Sequence, residues 1–182
     1  DWTIDCIDWL PPDTALPPDL IRDRTVLLAD FAPSNLDAMR WLRWLQLGSA
    51  GYEQLLGRPW RRLGVQVTNA SGVNDVAIAE WCVLMLLLWE RRLPAQLALR
   101  AARRWERVER FQSELRGRRV GIVGYGNIGR ETARLCRALG LEVWAMSRGG
   151  VGPRPHRYRP PGTGDPDGVV PHRAFDLDER AA

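Results

Sequence analysis

Short apolar runs alternate with polar or amphipathic segments along residues 1–70. The runs Val26–Ala29, Arg43–Leu47 and Val65–Thr68 each have the length of one strand, and residues typical of turns and helix starts separate them. Strands that alternate with helical segments are typical of βαβ units, which form parallel sheets. The pattern therefore predicts an α/β fold for this part of the chain.

One later segment is apolar on every side. Asn74–Arg92 has the pattern of a helix, with a capping residue and acidic side chains at its start and arginines at its end. Its centre, Trp81–Trp89, is shorter than the ~20 residues that cross a bilayer. Because a helix of this kind must be buried all round, we expect it between domains or at a subunit interface. A second helix is predicted over Ala95–Arg107.

The last third of the chain repeats the strand, helix and strand order. A strand is predicted over Arg119–Gly124, a helix over Asn127–Leu139 and another strand over Leu141–Met146. Gly149–Pro171 is dense in glycine and proline, which predicts a long loop. Asp176–Ala182 has the pattern of the start of a further helix.

Composition excludes several classes of protein. With 182 residues, 45% hydrophobic and 26% charged, the chain is neither disordered, collagen-like nor a membrane bundle. The net charge is only +4 and is spread along the chain, so we expect no nucleic-acid partner. Cys6, Cys82 and Cys136 lie far apart in sequence without metal-ligand spacing. They predict no metal site and no disulfide framework, and reduced thiols favour a cytoplasmic protein.

The motif with the clearest chemistry is GxGxxG between a predicted strand and a predicted helix. Gly124 permits a tight turn, Gly126 lets backbone approach a pyrophosphate, and Gly129 lets the helix pack close to the sheet. The amides of Asn127 and Ile128 would then face an anion at the start of the helix. The motif in this context predicts a dinucleotide site. A tight turn without a ligand is the alternative.

The residues that would select the cofactor follow the second strand of this unit. An acidic residue that binds the ribose 2′-hydroxyl is expected there, but the chain has Ser147 and Arg148. A hydroxyl and a guanidinium suit a 2′-phosphate better, because arginine can donate two hydrogen bonds to it. We therefore predict NADP as the cofactor, with NAD as the alternative. Arg148 could instead stack on adenine or face solvent, and then it would select nothing.

Three blocks of the sequence, in this order, resemble the D-isomer-specific 2-hydroxyacid dehydrogenase family, and especially its glyoxylate/hydroxypyruvate reductase-like members. They are Arg43–Leu55, Gly64–Leu87 and Glu114–Val143. The resemblance implies a flavodoxin-like substrate domain followed by the first part of a Rossmann dinucleotide-binding domain. The implied boundaries are a partial substrate domain over 1–92, a helical linker over 93–113 and the Rossmann part over 114–182.

The resemblance also implies where a substrate would bind. In the family, backbone amides of the loop matching Gly48–Gly51 hold the substrate carboxylate, so Ala50 and Gly51 are the candidates. Small residues let the main chain approach a small anion closely, although a simple strand-ending turn is the alternative. The family's catalytic arginine, glutamate and histidine come later than the end of this sequence. We read His156 and His172 as loop residues and expect no catalytic residue in this chain.

These observations predict a fragment of an oxidoreductase that is inactive by itself. The parent would transfer hydride between NADP(H) and a small 2-oxo acid of the glyoxylate or hydroxypyruvate type, with the cofactor supplying the chemistry. A homodimer is expected, and no membrane or nucleic-acid partner. The alternative is a dinucleotide-sensing or corepressor-like protein of the same fold that acts by binding partners.

Overall fold

The computed structural model describes residues 3–8, 10–58, 60–107 and 113–176. The chain divides into two compact units, residues 1–71 and residues 72–182. Each unit is built around its own three-stranded parallel sheet. Apart from Asp176, the helix predicted at the end of the chain lies outside the described residues.

The first unit follows the predicted alternation of strands and helical segments. Its elements are helix α1 (Pro18–Ile21), strand β1 (Val26–Ala29), strand β2 (Trp44–Leu47), helix α2 (Trp60–Leu63) and strand β3 (Gln66–Thr68). The sheet order is β1-β2-β3. Leu45 and Leu47 of the central strand are fully buried and lie at the centre of this unit's apolar core.

The second unit contains the predicted strand, helix and strand together with one unpredicted strand. Its elements are helix α3 (Asp75–Glu90), helix α4 (Leu93–Ala101), strand β4 (Arg119–Val123), helix α5 (Asn127–Ala138), strand β5 (Glu142–Met146) and strand β6 (Arg173–Phe175). The sheet order is β4-β5-β6. Gly149–Pro171, called the Gly/Pro loop below, contains no helix or strand, as predicted. The α/β fold class with parallel sheets is thus confirmed.

Helix α5 packs on the second sheet because one of its faces is made of small or apolar side chains. Ala133 and Cys136 on this helix are fully buried, as are Val143 and Ala145 on β5. Their alternation along β5 sends one face of the strand into the core. Burial, with a smaller contribution from Cys82, raises the pKa of the Cys136 thiol to about 11, so this cysteine is a packing residue.

Helix α3 differs from its prediction. The expectation that Asn74–Arg92 is buried on all sides is wrong for the chain as described, because α3 packs on the core of the second unit along one side. Trp81, Leu84 and Trp89 are 60%, 48% and 83% exposed. The interface expected for this helix stays a prediction. So do the boundaries 1–92, 93–113 and 114–182, although α3 and α4 pack within the second unit.

Two features are absent from the part of the chain that the structure describes. None of their helices is long and apolar enough to cross a membrane. Within the same ranges, no group of three or more histidine, cysteine or acidic side chains has the arrangement of a metal site.

Candidate dinucleotide-binding site

The turn between β4 and α5, residues Gly124–Gly129, is called the glycine turn below. Gly124 follows the last residue of β4 and has a φ of +99°, a conformation that side chains other than glycine rarely adopt. A Cβ atom on Gly129 would collide with the carbonyl oxygen of Gly124. The backbone of α5 therefore crosses the end of β4 at a distance that only glycine permits.

The glycine turn has the geometry of an anion site. The N–H groups of Asn127 and Ile128 donate to no acceptor in the described part of the chain, as expected at the first turn of a helix. A Cβ atom on Gly126 would meet nothing within 4 Å, so the space in front of the turn is open. The positive end of the α5 dipole lies at the same place. These residues therefore fit the phosphates of a dinucleotide.

Ser147 and Arg148 lie at the same edge of the sheet as the glycine turn. Val123 and Met146 are paired in register at the ends of β4 and β5, and the N–H of Gly124 donates to the Met146 carbonyl at 2.8 Å. The side chain of Arg148 is exposed and makes no hydrogen bond or ion pair with any residue that the structure describes. Its guanidinium is therefore available to an anionic ligand.

The loop that carries Ala50 and Gly51 belongs to the first unit. It follows β2 and is held through its carbonyl groups. The Asn69 side chain donates to the Ala50 carbonyl at 2.8 Å, and the Ala70 N–H donates to the Ser49 carbonyl at 2.9 Å. Within the described ranges, the N–H groups of Ala50 and Gly51 donate to no acceptor. The loop can therefore offer these two amides to a small anion.

Sequence reasoning missed a buried carboxylate that organises the Gly/Pro loop. Asp165 is 3% exposed, and its oxygens accept the N–H groups of Gly168, Val169 and Val170 at 3.0 Å each. The hydroxyl of Tyr125 donates to the same carboxylate at 2.7 Å. Burial alone would raise the pKa of Asp165, but the hydrogen bonds from Tyr125 and from the amides outweigh it and hold the pKa below its usual range.

Arg130 is the second anchor of this loop. It is 3% exposed, and its guanidinium donates to the carbonyl oxygens of Asp165, Val151 and Gly152. Burial lowers the pKa of its guanidinium, which nevertheless stays charged at neutral pH. No local signal predicted these contacts, because Arg130 and Asp165 are 35 residues apart in sequence.

Asp75 is a further buried carboxylate in the second unit, and the two histidines of the chain lie in or directly after the Gly/Pro loop. Asp75, at the start of α3, is 5% exposed, and its Oδ2 atom has no hydrogen-bond partner among the described residues. Burial raises the pKa of its carboxyl group, although the side chain of Asn127 opposes the rise. The Nδ1 atom of His172 accepts the N–H of Val143 at 2.9 Å, while His156 is exposed in the Gly/Pro loop.

Comparison with known proteins connects this geometry with one family. Residues 83–158 match the model of the "D-isomer specific 2-hydroxyacid dehydrogenase, NAD binding domain". A D-3-phosphoglycerate dehydrogenase of Archaeoglobus fulgidus is 35% identical over 126 residues, which are 69% of this chain and 23% of that protein. A hydroxypyruvate reductase of Thermotoga maritima is 25% identical over 126 residues, which are 69% of this chain and 40% of that protein.

A solved structure extends the likeness to most of the chain. The crystal structure of a D-isomer specific 2-hydroxyacid dehydrogenase family protein from Aeromonas salmonicida superposes with a TM-score of 0.70 at 27% identity. The superposition covers 88% of this chain and 47% of that one. The chain thus spans less than half the length of this structure, and about a quarter of the phosphoglycerate dehydrogenase. The family resemblance and the Rossmann character of the second unit are confirmed.

Proposed function

We propose, from the chain's membership of the D-isomer specific 2-hydroxyacid dehydrogenase family, that it forms part of an NADP(H)-dependent oxidoreductase. The reaction is hydride transfer between the nicotinamide and a small 2-oxo or 2-hydroxy acid. One observation carries this proposal: the glycine turn is open in front of Gly126 and presents the unpartnered amides of Asn127 and Ile128.

In this mechanism the chain's own residues bind and orient the reactants. The amides at the start of α5 hold the paired phosphates, and the missing side chain at Gly126 lets the phosphates approach the backbone. The amides of Ala50 and Gly51 hold the carboxylate of the acid. When bound, the nicotinamide cofactor supplies the hydride chemistry. Positioning of both reactants is the contribution of the residues described here.

Ser147 and Arg148 are proposed to favour NADP over NAD. The end of β5 lies beside the glycine turn through the pairing of Val123 with Met146. A ribose bound beyond the turn would reach this edge of the sheet. Arg148 can donate two hydrogen bonds to a 2′-phosphate, and no carboxylate follows β5 in the sequence at this point to bind a 2′-hydroxyl.

The cofactor preference is tested by Arg148→Asp. The substitution places a negative charge where a 2′-phosphate would bind, so NADPH should bind about tenfold more weakly or worse, whereas NADH should bind as well or better. Titration of the intrinsic dihydronicotinamide fluorescence gives both dissociation constants. Arg100→Asp, on the exposed side of α4, is the matched control for the change in charge.

Two outcomes of this titration would contradict the proposals. An unchanged ratio of NADPH to NADH affinity in Arg148→Asp would remove the role of this residue. Absence of binding of either dinucleotide to the unmodified chain would remove the proposed function itself.

The substrate class, the oligomeric state and the cellular location are further proposals. The hydroxypyruvate reductase of Thermotoga maritima supports a substrate of the glyoxylate or hydroxypyruvate type, and the D-3-phosphoglycerate dehydrogenase shows how far substrates vary among relatives. Oxidation of NADPH by the full-length protein with glyoxylate, hydroxypyruvate and a phosphorylated 2-oxo acid would rank them. We also propose a homodimer that works in the cytoplasm.

A further inference from the structure

Tyr125 is the one residue between the first two glycines of the turn, and its side chain is held from two directions. The residue is fully buried, and its hydroxyl donates to the Oδ2 atom of Asp165 at 2.7 Å. The guanidinium carbon of Arg130 lies 4.8 Å from the centre of the Tyr125 ring. The Nε atom of the same arginine donates to the Tyr125 carbonyl at 3.3 Å. The backbone on both sides of Tyr125 is the backbone of the glycine turn.

We propose that Tyr125 and Asp165 are positioning residues for dinucleotide binding, which rests on the proposed function above. Gly124 and Gly126 have no side chains, so their packing cannot hold the turn, and glycine backbone loses much conformational entropy when it is ordered. Fixing Tyr125 through Asp165 orders the turn before the ligand arrives. Binding then costs less free energy, because less ordering remains to be done.

The carboxylate of Asp165 is suited to this role because the protein itself fixes it. Three backbone amides of the Gly/Pro loop, those of Gly168, Val169 and Val170, donate to it at 3.0 Å each. With Tyr125 as the fourth donor, the carboxylate joins the glycine turn to a loop about 40 residues later in the chain. A hydrogen bond to a charged group contributes more than a neutral one.

The Gly/Pro loop also touches the first residue of α5. The side chain of Asn127 donates to the Tyr158 carbonyl at 3.0 Å. Tyr158 also packs closely against Gly72, because a Cβ atom on Gly72 would collide with the Tyr158 carbonyl oxygen. The loop therefore reaches the start of the helix at which the phosphates would bind. If the loop and Asp165 favour the phosphate-binding turn, a bound dinucleotide must favour the ordered loop to the same extent.

The first test compares NADPH binding to the unmodified chain and to Tyr125→Phe. Phenylalanine keeps the ring and its contact with Arg130 but removes the hydroxyl that reaches Asp165. We expect NADPH to bind about tenfold more weakly, as the loss of one charge-assisted hydrogen bond predicts. Asp167→Asn, which changes an exposed carboxylate in the same loop, should leave the dissociation constant unchanged.

A second variant separates positioning from general loosening of the loop. Arg137 donates to the carbonyl oxygens of Val169 and Val170 and does not touch the glycine turn. Arg137→Gln should loosen the loop but weaken NADPH binding much less than Tyr125→Phe does, because the hydrogen bond from Tyr125 to Asp165 remains. Loosening is measured by trypsin cleavage after the exposed Arg157, because the other arginines between residues 149 and 171, Arg154 and Arg159, precede proline, and trypsin does not cleave such bonds.

The same cleavage reports the coupling directly. NADPH should slow cleavage after Arg157 in the unmodified chain and slow it much less in Tyr125→Phe. Equal NADPH affinity in Tyr125→Phe and the unmodified chain, even with a lowered melting temperature, would overturn the positioning role. So would an equal loss of affinity in Arg137→Gln. If the unmodified chain binds no dinucleotide, the proposed function fails, which is a different and distinguishable result.

Discussion

At the scale of single residues, the second and third glycines of the turn are needed for different reasons. A Cβ atom on Gly126 would point into open space, whereas one on Gly129 would collide with the Gly124 carbonyl. The second glycine, Gly126, therefore leaves room for a ligand, and the third, Gly129, leaves room for the protein's own backbone. Substitutions at the two positions should have separable effects on binding and on stability.

We predict that Gly126→Val folds normally and binds no dinucleotide, because its side chain fills the space that the phosphates require. Gly129→Ala should lower the free energy of unfolding by about 1–3 kcal/mol, because overpacking displaces α5 from the sheet. Chemical denaturation measures the second effect, and fluorescence titration with NADPH measures the first. Retained NADPH affinity in Gly126→Val would contradict the phosphate-binding role of the turn.

Single residues also show which parts of the site can be predicted from the sequence. Gly124, Gly126 and Gly129 were predicted because their roles depend on neighbours a few residues away. The partnership of Tyr125 with Asp165 could not be predicted, because it joins positions 40 residues apart through a loop whose path no local pattern determines. A tyrosine within a turn and an aspartate within a loop are each ordinary by themselves.

At the scale of elements, two buried carboxylates, Asp165 and Glu131, accept backbone amides of the Gly/Pro loop, and Asp165 accepts three of them. The pKa of Asp165 is lowered in the folded chain because the hydrogen bonds from Tyr125, Val170 and Val169 outweigh burial. The unfolded chain therefore takes up the proton more readily than the folded one. The stabilisation by Asp165 is complete above the unfolded pKa of 3.8 and is lost as the pH falls through the lower folded value.

We therefore predict that the amides of Gly168, Val169 and Val170 lose protection from hydrogen exchange as the pH falls below about 4. Amides in the centre of α5 should stay protected over the same range, since no titrating carboxylate accepts them. Exchange followed by mass spectrometry, corrected for the intrinsic effect of pH, measures both sets. Loss of loop protection already near neutral pH would contradict this dependence on Asp165.

The elements differ in how far the sequence determined them. Strand β4, helix α5 and strand β5 agree with their predictions to within one residue at each end, because glycines mark their limits. Strand β6 was missed, since three residues beside a proline carry no period of their own. Helix α4 ends at Ala101, well before the predicted Arg107, because its arginine-rich continuation offers no apolar face to pack.

At the scale of the whole molecule, the exposed side of α3 is the largest departure from the sequence prediction. Ile78, Trp81 and Leu84 recur every three residues and are 40%, 60% and 48% exposed, so they form one apolar stripe. The apolar pattern of this segment indicated that the helix must be buried, but it could not show which domain or subunit buries it. A stripe of this kind in a chain that stays in solution favours association.

We predict that Trp81→Asp weakens the proposed homodimer by about tenfold or more, because it places a charge within an apolar contact. Sedimentation velocity over a range of protein concentrations measures the association. Trp105→Asp is the matched control, since Trp105 is 90% exposed and lies beyond the end of α4. A monomer at every concentration for the unmodified protein would contradict the dimer, and equal effects of both substitutions would contradict the role of α3.

The Gly/Pro loop begins and ends at almost the same point in space. Gly168 lies so close to the Val151 backbone that a side chain would not fit between them, and the Arg154 N–H donates to the Pro166 carbonyl at 2.8 Å. Compact loops with adjoining ends tolerate changes of length and sequence well. The segment between these two contacts can therefore be exchanged for another sequence. Evolution or design can replace it, provided that the new sequence keeps the Asp165 carboxylate that Tyr125 reaches and again supplies acceptors for Arg130.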